Sequence, residues 1–216
     1  MSRGYGGKFK ETLQVTNETS VKETGDEAQI LSKLNFPFYI DRNRVRAVKK
    51  LTKDHDCDVI ISDDGLQHYK MGRHIEIAVI DGKRRFGNNL TFPAGPLRES
   101  KNRLNTVDFI VNNSGPTEED EYLMNISPSN FVHLKSGKSY SIDKWPMHNQ
   151  IHAVAGLGNP GRFFDLLDKL GFDSIRHPFP DHHNFSSSDI FYLDHLPIVM
   201  TEKDASKYVS YTHLRA

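Results

Sequence analysis

The chain has 216 residues, with 28 Lys and Arg balancing 28 Asp and Glu, and a single cysteine, Cys57. Such a length can bury a sizeable core in one large domain or two small ones, and zero net charge disfavours a nucleic-acid binder. One thiol excludes an internal disulfide and fits a reducing cytoplasm; no apolar run could span a bilayer and no signal-peptide pattern follows Met1, so a soluble α/β protein is expected.

Residues 2–8 (SRGYGGK) form a Gly-rich basic turn, and Leu13 and Val15 among threonines predict a short strand. Thr24-Gly25-Asp26-Glu27 leads into a helix whose Ala28, Ile30, Leu31 and Leu34 fall on one face. Asp26 and Glu27 stand in its first turn, where the macrodipole favours acids, so by spacing alone they are helix starters. Residues 36–40 predict a strand. Residues 42–53 predict a strongly basic helix with Val45, Val48 and Leu51 inward. Such a charge run ordinarily marks a solvated face, with an anionic membrane surface as the functional alternative.

Val59, Ile60 and Ile61 are a β-branched run of the kind buried on both faces of a parallel sheet. The run ends in Asp63-Asp64-Gly65, and carboxylates at the carboxyl end of such a strand sit where open α/β sheets bind ligands. Mg²⁺ suits them, because it takes one or two carboxylates plus substrate phosphates; the bland reading is a strand-end turn. A second apolar strand, 75–80, also ends in an acid, Asp81, and Lys83, Arg84, Arg85 and Arg98 follow among glycines and prolines. Pro93 and Pro96 stiffen the loop that presents Arg98. Acids for a metal beside fixed cations are the parts a phosphoryl-transfer site needs, although the arginines alone also read as solvated surface.

DDGLQH (63–68), IDGKRRFGN (80–88) and PAGPLRE (93–99) closely resemble the tetraacyldisaccharide 4'-kinases, the lipid A 4'-kinases of Gram-negative bacteria, and the resemblance runs from Ser2 to about Lys207. It implies a P-loop-kinase-like α/β fold with a mostly parallel sheet flanked by helices, joined by a β-hairpin linker to a smaller Rossmann-like α/β domain. It implies ATP and Mg²⁺, a lipid disaccharide acceptor and a peripheral place on the cytoplasmic face of the inner membrane, with no nucleic acid and no obligate protein partner. Carried over residue by residue, Asp26 of the GDE motif is the base that takes the sugar hydroxyl proton, and Glu27 supports it. His182 of the PDHH motif pairs with that base, with His183 as the alternative. Asp63 and Asp64 hold Mg²⁺, Gln67 and His68 face the phosphates, and Arg84, Arg85 and Arg98 neutralise phosphate. The family's phosphate loop, G-x-x-x-x-G-K-[ST], precedes SRGYGGK, so it is expected before residue 1, and the stretch alone is expected to be inactive. Gly137-Lys138-Ser139 matches the loop's end, but the required earlier glycine falls on Val132, and a hairpin turn is the simpler reading.

Residues 107–112 predict another parallel-type strand, residues 115–120 an acidic loop without assignable chemistry, and 122–147 antiparallel hairpins around Gly137. The expected segments are 1–120, a partial kinase domain; 121–150, the linker; 151–208, the smaller domain; and 209–216 (VSYTHLRA), which departs from the family pattern and reads as an artefactual tail. Within the third segment a strand, Gly156-x-Gly158-x-x-Gly161 and an amphipathic helix make a dinucleotide fingerprint, which keeps an NAD-dependent oxidoreductase as an alternative. Pro160 removes an N–H from that loop, and Arg176 stands where the ribose-binding acid belongs. A non-catalytic nucleotide- or lipid-binding module is the other alternative. Residues 186–193 predict a capped helix, 198–200 a strand, and TEKDA (201–205) opens the last helix, with Lys203 read as structural.

Overall fold

Ser20 opens the first helix, α1 (Val21–Thr24): its hydroxyl accepts the Glu23 N–H while the Glu23 carboxylate accepts the Ser20 N–H, a reciprocal cap. Upstream, β1 (Leu13–Val15) carries the apolar pair expected there. Gly25 ends α1 at φ 85°, and a Cβ at that position would overlap the Tyr5 carbonyl oxygen. Only glycine can pass the chain directly from α1 into α2 (Asp26–Leu31) at that angle. β2 (Phe38–Ile40) pairs antiparallel with β1, and α3 (Arg44–Asp54) follows from its Asn43 cap. Val15, Ala28, Phe38 and Ile40 close a small core with Phe9, Leu13 and Leu31 against it. Leu34 is not part of it, because α2 ends at Leu31 and a 3₁₀ turn carries Leu34 into solvent. The buried face of α3 is Arg44, Ala47 and Leu51, with Val45 and Val48 only half-buried.

This computed structural model describes residues 1–212, and side chains through residue 208. The tail reading of 209–216 therefore falls largely outside the described residues. Two compact units result: Met1–Asp63 with the chain from Ser129 onward, and Asp64–Pro128. They cut the chain differently from the segments 1–120, 121–150 and 151–208, because α2 packs against the last helix, far away in sequence.

The expected strand at 59–61 does not form. Val59 and Ile61 are 75% and 78% exposed. The segment's backbone bonds run to the first residue, Met1 N to Ile61 O at 2.8 Å and Asp63 N to Met1 O at 2.9 Å, which fix the chain's direction without building a ladder. In the Asp64–Pro128 unit, β3 (Ile77–Asp81), β4 (Phe109–Asn113) and β5 (Glu121–Met124) form a parallel three-stranded sheet in the order β3-β4-β5. β3 starts later than expected, and β5 is a parallel strand rather than half of a hairpin. Nor are these strands buried on both faces: Ala78 and Asn112 are buried on one side, while Ile77, Val79, Phe109 and Tyr122 are exposed on the other.

From Ser129 the chain rejoins the first unit. β6 (Asn130–Val132) and β7 (Ser139–Ser141) make the expected antiparallel hairpin, with Gly137 at φ 67° in its turn. β8 (Gln150–Ala155), α4 (Pro160–Lys169) and β9 (Asp173–Pro178) form a strand-helix-strand unit with β8 and β9 parallel. β10 (Ile198–Met200) adds on the other side of β8 in parallel, and α5 (Glu202–Thr212) follows. Ile151, Ala153, Ala155, Phe164, Leu167, Phe172 and Val199 are the core, with Phe131 and Trp145 of the hairpin region packed against it. Each large side chain there contributes roughly 1.5–3 kcal/mol by leaving water. The helix expected at 186–193 is only a 3₁₀ turn, Ser187–Ile190, behind the Ser186 cap.

Candidate active site

Asp26 heads α2, where Gly25 has just turned the chain, and is 8% exposed. Its Oδ1 accepts the Glu27 N–H at 3.1 Å. Its Oδ2 lies 3.3 Å from His182 Nδ1, the spacing of an imidazole N–H donated to a carboxylate. His182 sits at φ 57° with its N–H donated to the Asp181 carboxylate at 2.9 Å, which aims the ring back at Asp26. His183 is turned elsewhere, with Nε2 3.2 Å from Asp189 and its ring against Phe179 and Phe185.

Two lysines of α5 complete this cluster. Lys207 Nζ is 3.5 Å from both Asp26 Oδ2 and Asp204 Oδ1. Lys203 Nζ is 3.3 Å from Glu27 Oε1 and 3.6 Å from Asp181 Oδ1. Burial pushes the Asp26 carboxyl up, but Lys203, Lys207, His182 and the Glu27 N–H outweigh it and hold Asp26 below the usual carboxylate range. Burial likewise opposes the Lys203 ammonium, and Glu27, Asp181 and Asp26 raise it nonetheless. An ionised, buried carboxylate paired to an imidazole can accept a proton from a substrate hydroxyl.

The Asp63–Gly65 turn is held through its backbone. Buried Arg44 donates to the Asp63 carbonyl at 2.7 Å. Arg73 donates to the Gly65 and Leu66 carbonyls at 2.8 and 2.9 Å. Asp64, at φ 48°, presents an exposed carboxylate that pairs with Arg98 at 2.6 Å. Arg98 also reaches Gln67 Oε1 at 3.3 Å, and Gln67 Nε2 donates to Glu99 at 2.8 Å. His68 is half-buried, with its N–H on the Gly65 carbonyl at 2.9 Å. The loop before Arg98 is closed by backbone bonds, Phe92 N to Leu97 O at 2.8 Å and Leu97 N to Leu90 O at 3.2 Å. Arg84 is exposed in the turn capped by the Asp81 carboxylate, whereas Arg85 is committed to Glu118 and Glu121 at 2.6 and 2.8 Å. Exposed carboxylates, adjacent in sequence, beside an exposed arginine have the chemistry that suits Mg²⁺ carried in with phosphates, which needs few protein oxygens.

The glycine fingerprint is filled by the protein itself. The Gly156 N–H donates to Asp204 Oδ2 at 3.1 Å, and a Cβ at Gly158 would stand 3.2 Å from Asp181 Oδ2. A pyrophosphate there would meet two carboxylates, so the dinucleotide reading is not supported by this loop.

Sequence reasoning sets Lys203 aside as structural and misses Lys207, Arg44 and Arg73 as parts of these clusters. For Lys207 a signal existed: it follows Lys203 by one helical turn, beside Ala205, on what becomes the buried face of α5. For Arg73 its pair with Glu76 at 2.7 Å is local, but nothing signalled its place at the turn, where it bonds to backbone carbonyls.

A family model described as tetraacyldisaccharide-1-P 4'-kinase matches residues 1–215. The tetraacyldisaccharide 4'-kinase of Methylobacillus flagellatus is 44% identical over 213 residues, covering 98% of this chain and 64% of that protein. That of Legionella pneumophila strain Corby is 44% identical over 214 residues, covering 98% of this chain and 65% of that protein. The chain thus spans slightly less than two thirds of the length of these relatives. The crystal structure described as the "apo" form LpxK from Aquifex aeolicus in complex with ATP aligns with a TM-score of 0.74 at 25% identity, over 95% of this chain and 68% of that one.

Proposed function

This chain belongs to the tetraacyldisaccharide-1-P 4'-kinase family, and from that premise we propose that it carries the proton-accepting and metal-holding parts of a kinase for the 4' hydroxyl of a tetraacylated glucosamine disaccharide. The observation that supports this most is the Asp26–His182 pair at 3.3 Å, enclosed by Lys203 and Lys207.

In this reading ATP is the phosphoryl donor. Asp26 takes the 4'-hydroxyl proton as the sugar oxygen bonds to the γ-phosphorus, the bond to the β,γ-bridging oxygen breaks, and ADP leaves with the electron pair. His182 orients Asp26, and Glu27 ties the helix start to Lys203. Asp63 and Asp64 would hold Mg²⁺, whose contribution when bound is to neutralise phosphate oxygens. Arg98 then exchanges Asp64 for phosphate, Arg84 adds a second cation, and Gln67 and His68 line the same turn. Arg85, with its guanidinium on two glutamates, acts as a brace for the loop rather than as a phosphate contact. Because the acceptor is a lipid, the reaction belongs at the cytoplasmic face of the inner membrane with the protein bound peripherally. Among the described residues no helix is long and apolar enough to cross a membrane.

The test is phosphate transfer from labelled ATP to the disaccharide by the full protein its gene encodes. Asp26→Asn should lower kcat about 10²–10⁴-fold with the fold intact. Near-normal turnover by that variant would remove Asp26 from the base role.

A further inference from the structure

Lys203 and Lys207 are more than helix surface. They project one turn apart from α5, and four carboxylates converge on them: Asp26, Glu27, Asp181 and Asp204. Lys207 is 5% exposed and Asp204 is fully buried. Asp204 is fixed in turn by the Gly156 N–H at 3.1 Å and the Thr201 hydroxyl at 2.8 Å, so Lys207 is aimed at Asp26 from a rigid base. A buried ammonium costs several kcal/mol to desolvate, and a purely packing role would be served better by an apolar side chain of the same length.

We infer that Lys207, assisted by Lys203, is a positioning residue for Asp26, keeping its carboxylate ionised and facing His182. The inference rests on reading Asp26 as the base. The charged groups around Asp26 are His182 from the 181–183 loop, Lys203 and Lys207 from α5, and Glu27 from its own helix, with Asp181 and Asp204 behind the lysines. The cations favour the ionised form of Asp26, and a low-dielectric surrounding strengthens them. Without Lys207 the carboxylate would retain its burial and lose its buried counter-charge. It would then take up a proton at a higher pH and become useless as a base over the acid part of the working range.

Two measurements test this. In the chain itself, the ¹³C carboxyl resonance of Asp26, assigned by its absence in Asp26→Asn, should titrate at a higher pH in Lys207→Met than in the unsubstituted protein. Lys207→Arg should restore the original midpoint. In the full protein its gene encodes, Lys207→Met should lose kcat about tenfold on the acid side while recovering at alkaline pH, with KM for ATP little changed. Lys203→Met, whose side chain is 20% exposed, should shift the same limb and serves where Lys207→Met loses the fold. An unmoved Asp26 midpoint in a folded lysine variant overturns the inference. If instead Asp26→Asn retains activity while the resonance shifts as expected, it is the assignment of the base that fails.

Discussion

Two parallel sheets of similar size sit in this chain, and they are finished differently. In the β10-β8-β9 sheet the central strand is sealed, with Ile151, Ala153, Val154 and Ala155 all fully buried. In the β3-β4-β5 sheet only Ala78 and Asn112 are buried, and the opposite face leaves Val79 60% and Tyr122 60% exposed. The sequences do not announce the difference, since IHAVA and IAVID are equally apolar. What separates them is covering: α4 and the aromatics Phe131, Trp145 and Phe172 lie over one, while none of the described elements of the Asp64–Pro128 unit covers that face of the other. Apolar runs specify that a strand is wanted in a core; a second layer decides whether it gets there.

The sharpest break should come from Ile151→Ala, which opens a cavity in the sealed sheet and should cost about 2–5 kcal/mol in urea unfolding followed by Trp145, the chain's one tryptophan. A smaller effect should appear with acid. Burial and the neighbouring His152 lower the His177 pKa below 6.5, against the pull of Asp194. The folded state therefore binds fewer protons than the unfolded one, so this contribution is complete above pH 6.5 and is lost as pH falls through the folded value. His177→Gln should flatten that part of the stability profile, and an unchanged slope would show that the His152–His177 contact at 2.9 Å carries no linkage. The smallest effect is expected on the open face, where Val79→Thr should change stability by less than about 0.5 kcal/mol while lowering binding of an apolar dye. A loss as large as that of Ile151→Ala would mean the face is covered in solution.

Parts of the fold and of the candidate cluster were legible because their motifs carry their own geometry. Gly25 is required by a φ that other residues resist, Asp26 by the helix start that follows, and the hairpin at Gly137 by its turn. The strand at 59–61 was misread because β-branched composition cannot tell a ladder from a single extended segment held at Met1. The helix face with Leu34 was misread because α2 stops after Leu31. The fingerprint at Gly156 looked like a phosphate cradle because spacing says nothing about what fills a loop, and here Asp204 fills it from 48 residues away. Lys203 reads as structural and Lys207 as helix surface because Glu27, Asp181 and Asp26, which place them in the cluster, come from other parts of the chain.

That separation has a kinetic meaning. Asp26 and His182 are 156 residues apart, and the whole Asp64–Pro128 unit lies between them in the sequence. The pair is a contact of very high order, so it forms late, and a ribosome would expose Asp26 well before its partner emerged. Until then its carboxylate is an ordinary solvated acid. The cluster around Asp26 is complete only once α5 has also emerged, because Lys203 pairs with Glu27 from 176 residues away.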